Sequence, residues 1–343
     1  METTDANQLI QNAMRHHKEG RLDDAEAIYR NLLVTLPRSA LVHNMMGVLE
    51  GQRKNYREAI RWLQGAIQIN ENIPDFYDNL GAAMVSAGKI ADARKQFHRA
   101  LALQPSRDTA RTQLARTLMP GGPYTDLIER LLRWRTPKVY LEIGIRQGRT
   151  LKLAKPPTLA IGVEQKPDIR HRFEAPTRIY ETTPLEFLAS DRLEKLAGRK
   201  RFDIAMIRSP RSFEEAYDTF AALESIAGKD SIVMLHGTLP PDPVAGARER
   251  SSNFWVGDLW KLVPCLLEAR PELGIFTVPV FPVGLTFVTG LKKRNTRLFK
   301  NRDANIAAFA DWEVPEPDEW KSAFNLGSEN WAAIRQRLGR ALG

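Results

Sequence analysis

A chain of 343 residues is long enough for two domains. With 43% hydrophobic and 27% charged residues it has the apolar content to bury real cores, which excludes a disordered or fibrous chain. The net charge of +9 is spread over both parts of the chain, so it excludes a dedicated nucleic-acid face and leaves solubility and a loose attraction to anions.

The single cysteine, Cys265, excludes internal disulfides and lies in an apolar run that reads as core. Met1 to Gln8 are polar and acidic, unlike a secretory signal. The longest apolar stretch, Gly274 to Leu291, is broken by Pro279, Pro282 and Gly284 and reads as two strands and a turn, not a membrane helix. A cytoplasmic location, with no membrane partner, is the expectation.

The first third of the chain repeats itself. Ala25, Ala59 and Ala93 are 34 residues apart, and Tyr29, Leu63, Phe97 and Leu32, Ala66, Ala100 keep the interval. Pro37, Glu71 and Pro105 close the units, and Ala13, Gly47 and Gly81 recur beside Asn12, Met46 and Leu80. Helices that cross closely need Ala or Gly at the crossing. A large apolar residue four places on shares that face, and Pro ends the second helix. Gly20 and Gly88 fall in turns within the repeats. The pattern resembles the tetratricopeptide repeat (TPR) family, in three units at about 6–39, 40–73 and 74–107, with a capping helix over Asp108 to Met119. Leu9, His43 and Tyr77 stand where the family often has tryptophan, and Asn12 where it prefers leucine. The resemblance implies an all-α solenoid whose groove holds a protein or peptide partner. Packing on the rest of the chain, or a homo-oligomer, is the alternative. His16, His17, His43 and His98 lack metal-ligand spacing.

Residues 120–137 read as a linker and lead-in helix, with Pro120, Gly121, Gly122 and Pro123 followed by a helix over Tyr124 to Trp134. From 138 to 291 short apolar runs alternate with helical segments: Val139–Ile143, Thr158–Val163, Thr177–Tyr180, Phe202–Ile207, Ser231–Leu235, Gly274–Val280 and Gly284–Val288. Helices are predicted over Ser212–Ile226 and Phe254–Arg270. This is an α/β, three-layer, Rossmann-like pattern with a seven-stranded, mostly parallel sheet. The last two strands share only a Pro/Gly turn and should be antiparallel.

The first run reads Tyr140-Leu141-Glu142-Ile143-Gly144-Ile145-Arg146-Gln147-Gly148, a strand leading into a glycine turn with a helix expected after it. Ligands of open α/β sheets bind at this carboxyl edge, and Glu164, about twenty residues on, could accept ribose hydroxyls. Gly144-x-x-x-Gly148 lacks the G-x-G-x-x-G of dinucleotide sites, which leaves a dinucleotide or nucleotide-sugar enzyme as a weaker reading. The segment resembles class I S-adenosylmethionine-dependent methyltransferases, in the bacterial branch opened by Glu-Ile-Gly-x-x-x-Gly. That resemblance implies that Glu142, Gly144 and Gly148 surround the methionine part of S-adenosylmethionine, that Glu164 holds its ribose, and that Thr182 and Thr183 lie beside its adenine.

The chain departs from that branch where the catalytic groups would stand. The branch usually ends its fourth strand with Ile-Asp-Gly-x-His and its fifth with His-Asp. Here these read Met206-Ile207-Arg208-Ser209-Pro210-Arg211 and Leu235-His236-Gly237. Arg208 and Arg211 reverse the local charge, which repels a divalent cation and attracts an anionic acceptor. One reading is a metal-independent methyltransferase with His236 as base, Arg208 and Arg211 at the acceptor, and an acceptor not identified by the sequence. The other is a catalytically degenerate scaffold or adaptor, with the arginines paired to Glu214, Glu215 or Asp258. Phe254, Trp255 and Trp260 either cover the pocket mouth, with Asp258 and Lys261 at its rim, or begin a helix anchored to the sheet. In the tail, 292–343, the run Lys292, Lys293, Arg294, Arg297, Lys300 and Arg302 reads as a solvated loop or an acidic-partner patch. Glu329–Leu342 reads as a final helix capped by Ser328, with the repeats as its partner.

Overall fold

The computed structural model describes residues 3–209 and 211–342; Met1, Glu2, Pro210 and Gly343 lie outside the described residues. The chain divides into two compact units between Thr117 and Leu118. No helix among the described residues is long and apolar enough to cross a membrane.

The first unit is a tetratricopeptide-like helical array. Its helices are α1 (Thr3–Lys18), α2 (Leu22–Thr35), α3 (Ala40–Gln52), α4 (Tyr56–Ile69), α5 (Pro74–Ser86), α6 (Ile90–Leu103) and α7 (Asp108–Leu118). They pack as the hairpins α1–α2, α3–α4 and α5–α6, and each hairpin leans on the next. The recurring Ala25, Tyr29, Leu32, Ala59, Leu63, Ala66, Ala93, Phe97 and Ala100 are all buried. A Cβ on Gly47 would meet Leu63 Cγ at 2.5 Å, and one on Gly81 would meet Phe97 Cε1 at 2.5 Å. The small residues are therefore imposed by the partner helix of the same repeat. Arg53 reaches back from the second repeat to Asp23 and Glu26 of the first, and Arg107 ties the end of the third repeat to Asp75 and Asp78 of its own first helix. His17 is 7% exposed; its ring meets Tyr29 edge-on and its Nε2 has no partner among the described residues.

The second unit opens with α8 (Tyr124–Arg135) and builds a seven-stranded sheet: β1 (Val139–Ile143), β2 (Leu159–Val163), β3 (Thr177–Tyr180), β4 (Ile204–Ile207), β5 (Ile232–His236), β6 (Gly274–Val278) and β7 (Leu285–Thr289). The strand order is β3-β2-β1-β4-β5-β7-β6. All pairs are parallel except those of β7, which runs antiparallel to both β5 and β6. The parallel order differs from the six-stranded dinucleotide fold by the insertion of β7 between β5 and β6. β1, β4 and β7 are buried along their whole length, as strands covered on both faces must be.

On one face Tyr140, Met206, Met234, Phe287 and Phe276 join Leu127, Ile128, Leu131 and Leu132 of α8. The same cluster takes in Ile334 and Leu338 of the last helix, Trp331–Leu342. Further helices are α9 (Pro184–Ala189), α10 (Arg192–Ala197), α11 (Phe213–Ser225), α12 (Leu262–Ala269), α13 (Arg297–Lys300), α14 (Arg302–Phe309), α15 (Trp320–Ala323) and α16, the last helix just named.

Several expectations need correction. No α-helix follows the glycine turn; a 3-10 turn at Leu151–Leu153 stands there, because Pro156 and Pro157 follow at once. The helix expected over Phe254–Arg270 is a 3-10 turn at Asp258–Lys261 continued by α12, since Gly257 at φ +77° breaks the segment before it. Asn330, not Ser328, caps α16: its Oδ1 accepts from Ala332 N at 2.9 Å, while Ser328 Oγ accepts from Asn330 N. The partner of α16 is its own unit, where Trp331 meets Trp134 edge-on at 6.0 Å with the Arg335 guanidinium over Trp134. The basic run divides: Lys292, Lys293 and Arg294 stand in an exposed turn, as expected of a solvated loop, whereas Arg297 and Lys300 lie in α13 and Arg302 opens α14, where it binds Asp218 through two bonds of 2.6 and 2.8 Å.

Candidate functional site

Strands β1 to β5 end at one edge, and the segments after them line a cleft in two chambers. The first, about 500 Å³, is lined by Gly144, Arg146, Glu164, Thr183, Leu185, Ser209, Arg211, Thr219 and Trp255 among others. The second, about 550 Å³, is lined by Ile145, Arg146, Gln147, Arg149, Glu164, Lys166, Asp168, Arg208 and Ser209. Arg146, Glu164 and Ser209 are common to both.

Glu164 follows β2 directly. Its Oε2 accepts from Arg146 N at 3.2 Å and its Oε1 from Gln165 N at 3.0 Å, so two backbone amides fix the carboxylate at the junction of the chambers. Arg146 takes φ +48°, a costly conformation for a residue with a Cβ. Gly144 has φ +87°, and a Cβ there would fall 2.7 Å from Ser209 N. Glycine at this turn lets the β1 and β4 loops cross, and it still lines the first chamber. Thr183 caps α9: its Oγ1 accepts from Glu186 N at 3.2 Å, and Glu186 returns a bond to Thr183 N. Leu185, 45% exposed, and Trp255 are the large apolar side chains of the first chamber. Thr219 of α11 is 1% exposed, and its hydroxyl has no partner among the described residues.

Beneath the cleft, on the α8 face, lies a closed polar cluster. Glu142 is fully buried. Tyr140 Oη donates to its Oε2 at 3.0 Å, Thr150 Oγ1 donates to its Oε1, and Arg208 Nη1 lies 3.6 Å from the same oxygen. Burial raises the Glu142 carboxyl above the usual range, and the Arg208 charge opposes that shift. The Arg208 guanidinium lies over the Tyr124 ring at 5.8 Å, and the His236 ring is 4.2 Å from the same ring. His236 Nε2 is sealed from solvent with no partner among the described residues. Burial first, then the charges of Arg208, Arg211 and Arg146, push the imidazole well below its usual value.

Of the residues singled out from sequence, Gly144, Glu164, Thr183 and Arg211 line the first chamber and Arg208 the second. Glu142 and His236 turn to the α8 face instead. Gly148 packs on Phe173, whose ring a Cβ would meet at 2.9 Å, and Thr182 Oγ1 bonds Glu186 at 2.7 Å in the cap. Arg211 donates to the Trp255 carbonyl and lies 5.3 Å from its ring, and it does not pair with Glu214, Glu215 or Asp258. Burial, with Arg146, Arg208 and Arg250 nearby, lowers its guanidinium to about 9. The aromatic stretch divides its roles. Trp255 faces the cleft, while Trp260 Nε1 donates to Gly246 O at 2.9 Å inside the core and Asp258 accepts from Phe213 N at 2.8 Å. Arg146, Leu185, Ser209 and Thr219 were not singled out; the readable signal for Arg146 was its place inside the glycine turn.

No family model matches the chain. Over 87 residues it is 32% identical to the peroxisomal targeting signal receptor of Candida glabrata and 31% identical to that of Kluyveromyces lactis, each match covering 25% of this chain. The chain spans 15% of the length of these curated relatives. Among solved structures it is similar to the first TPR of Spaghetti (RPAP3) bound to an HSP90 peptide, at 21% identity and TM-score 0.33, covering 34% of this chain and 93% of that one. It is also similar to MamA, at 21% identity and TM-score 0.31, covering 34% and 68%. A Thermobaculum terrenum O-GlcNAc transferase mutant matches at 16% identity and TM-score 0.33, covering 59% and 45%. The repeat architecture rests on the chain's own spacing and burial.

Proposed function

We propose that the chain joins a helical repeat that holds a protein or peptide partner to a methyltransferase-like domain that binds an S-adenosyl nucleoside. The observation that carries the second half is Glu164: a carboxylate held by two amides at the end of β2, beside the Gly144 turn, facing the cleft. Such a carboxylate can accept from both hydroxyls of a ribose. Leu185 and Thr183 offer an apolar and a polar contact for a purine, and a chamber of about 500 Å³ is in the usual range for small-molecule sites.

The fit is good at the nucleoside end and poor at the amino-acid end. Glu142 has its oxygens taken by Tyr140, Thr150 and Arg208, and Gly148 faces Phe173. When bound, S-adenosylmethionine supplies an electrophilic methyl group on a sulfonium. The chain's own part is to fix the ribose through Glu164, to keep water off the apolar wall, and to attract an anionic acceptor with Arg146, Arg208 and Arg211, without a metal. Burial and the nearby arginines weaken His236 as a base, and it lies under Tyr124 outside both chamber walls.

That seclusion, with the Glu142–Arg208 pair, favours a second reading, in which the domain binds the nucleoside but performs no transfer and the chain acts as an adaptor. Calorimetric titration of the full chain with S-adenosylmethionine and S-adenosylhomocysteine tests the nucleoside site. Heat at millimolar ligand is expected; silence for both would remove the cofactor and leave the adaptor. With binding in hand, methyl transfer to an added acceptor separates the two readings.

A further inference from the structure

The second chamber carries more positive charge than its neighbours neutralise. Arg146, Arg149, Lys166 and Arg208 face it, against Glu164 and Asp168. Asp168 is already paired with Arg170 at 2.6 Å, and Glu164, fixed by two amides, keeps its charge and offsets one cation across the chamber. Arg208 is matched by the buried Glu142. Arg146, Arg149 and Lys166 have no carboxylate within ion-pair distance among the described residues, and the buried Arg208 Nε has no hydrogen-bond partner among them. The mutual cost of these charges is felt across the cleft: Arg146 is lowered by burial and by Arg208 and Arg250, and Arg211 falls to about 9. An anion between them would relieve that repulsion.

We propose that the second chamber binds a phosphate or diphosphate group carried by a small molecule, so that the acceptor side of the cleft is built for a phosphorylated compound and not for a carboxylate. The charge count decides between these. A carboxylate offsets one of the two charges left in excess. The amino-acid end of S-adenosylmethionine pairs a carboxylate with an ammonium and offsets none. A diphosphate offsets both and offers several acceptor oxygens for guanidinium forks. The chamber's volume of about 550 Å³ suits a small molecule, not a polymer. The inference rests on the proposed function only in treating this group as part of the methyl acceptor; the affinity of the chamber is independent of the nucleoside.

The test is titration of the full chain with inorganic pyrophosphate, orthophosphate and acetate at low salt, without nucleoside. Pyrophosphate should bind at least about tenfold more tightly than acetate, and rising salt should weaken it steeply. Arg149→Gln and Lys166→Gln alter exposed side chains, so the fold should persist; each should weaken pyrophosphate by about three- to tenfold. Equal binding of acetate and pyrophosphate, or wild-type pyrophosphate affinity in both variants, would overturn the proposal. S-adenosylhomocysteine titrated into the same variants should bind as in wild type. In the wild-type chain, absence of pyrophosphate binding while S-adenosylhomocysteine still binds sinks the phosphate site alone, and absence of S-adenosylhomocysteine binding while pyrophosphate still binds sinks the Glu164 reading alone.

Discussion

Glycine does different work in the two units. In the repeats, Gly47 and Gly81 sit in regular helix, and a Cβ on either would collide with Leu63 or Phe97 of the partner helix. At the sheet edge, Gly144 stands at φ +87°, and its Cβ would strike the backbone of Ser209. The first kind is a steric demand repeated every 34 residues by identical geometry. The second is a single crossing of two loops, set by strands far apart in sequence. Close packing is local and periodic in one unit, and long-range and unique in the other.

Removing the charge that holds the sheet edge together should be the most disruptive change. Arg208→Met leaves Glu142 buried without its cation and should cost about 3–5 kcal/mol near neutral pH, less in acid where the carboxyl takes a proton. Calorimetric melting of the second unit measures it, and Glu142→Met added to Arg208→Met should recover much of the loss. A double variant no better than the single would mean that Arg208 acts through the Tyr124 contact and not through the ion pair.

In the repeats the largest effect should come from volume. Gly81→Val must displace Phe97 and should destabilise the first unit by about 1–3 kcal/mol in urea, read by far-ultraviolet circular dichroism. The same change at Gly20, where nothing lies within 4 Å, should act only through its φ of +77°. Equal losses at both sites would erase the distinction between packing and backbone glycines.

Glu164→Ala should weaken S-adenosylhomocysteine by about tenfold and leave the melting temperature nearly unchanged, because its partners are exposed loop amides. Unchanged affinity would cost the ribose assignment its only support.

The smallest effect is on pH. His17 and His236 are both lowered chiefly by burial. Below the ordinary histidine value near 6.5 the unfolded chain binds these protons first, so the stability they contribute is present above that pH and is lost as the pH falls. Each unit should soften in acid, and His17→Gln should flatten the slope in the first unit alone. A slope that persists would assign the loss to other groups.

The strands, the repeat helices and the lead-in helix were legible because their period is local: residues 34 apart, or alternating along five. The cleft was half legible. Alternation also explains what was misplaced. Glu142 follows Tyr140 by two, Arg208 follows Met206, and His236 follows Met234; Tyr140, Met206 and Met234 face α8. Their polar successors turn to the same side, toward Tyr124. Recognition by motif aimed Glu142 and His236 at a ligand, whereas the parity of their strands aimed them at a helix lying outside the motif; Arg208, just past β4, meets both Tyr124 and the second chamber. The convergence of Arg146, Arg149 and Lys166 with Arg208 was beyond reach, since it depends on three loops meeting.

The edge-on contact of Trp134 with Trp331 has an optical consequence. Two indoles 6.0 Å apart and nearly perpendicular, with the Arg135 and Arg335 guanidiniums 5.4 and 5.8 Å from one ring, form a coupled chromophore held between the first and last helices of the second unit. The near-ultraviolet ellipticity and emission of that pair report whether α16 is seated on α8. The chain therefore carries its own gauge of whether its final helix of twelve residues is docked.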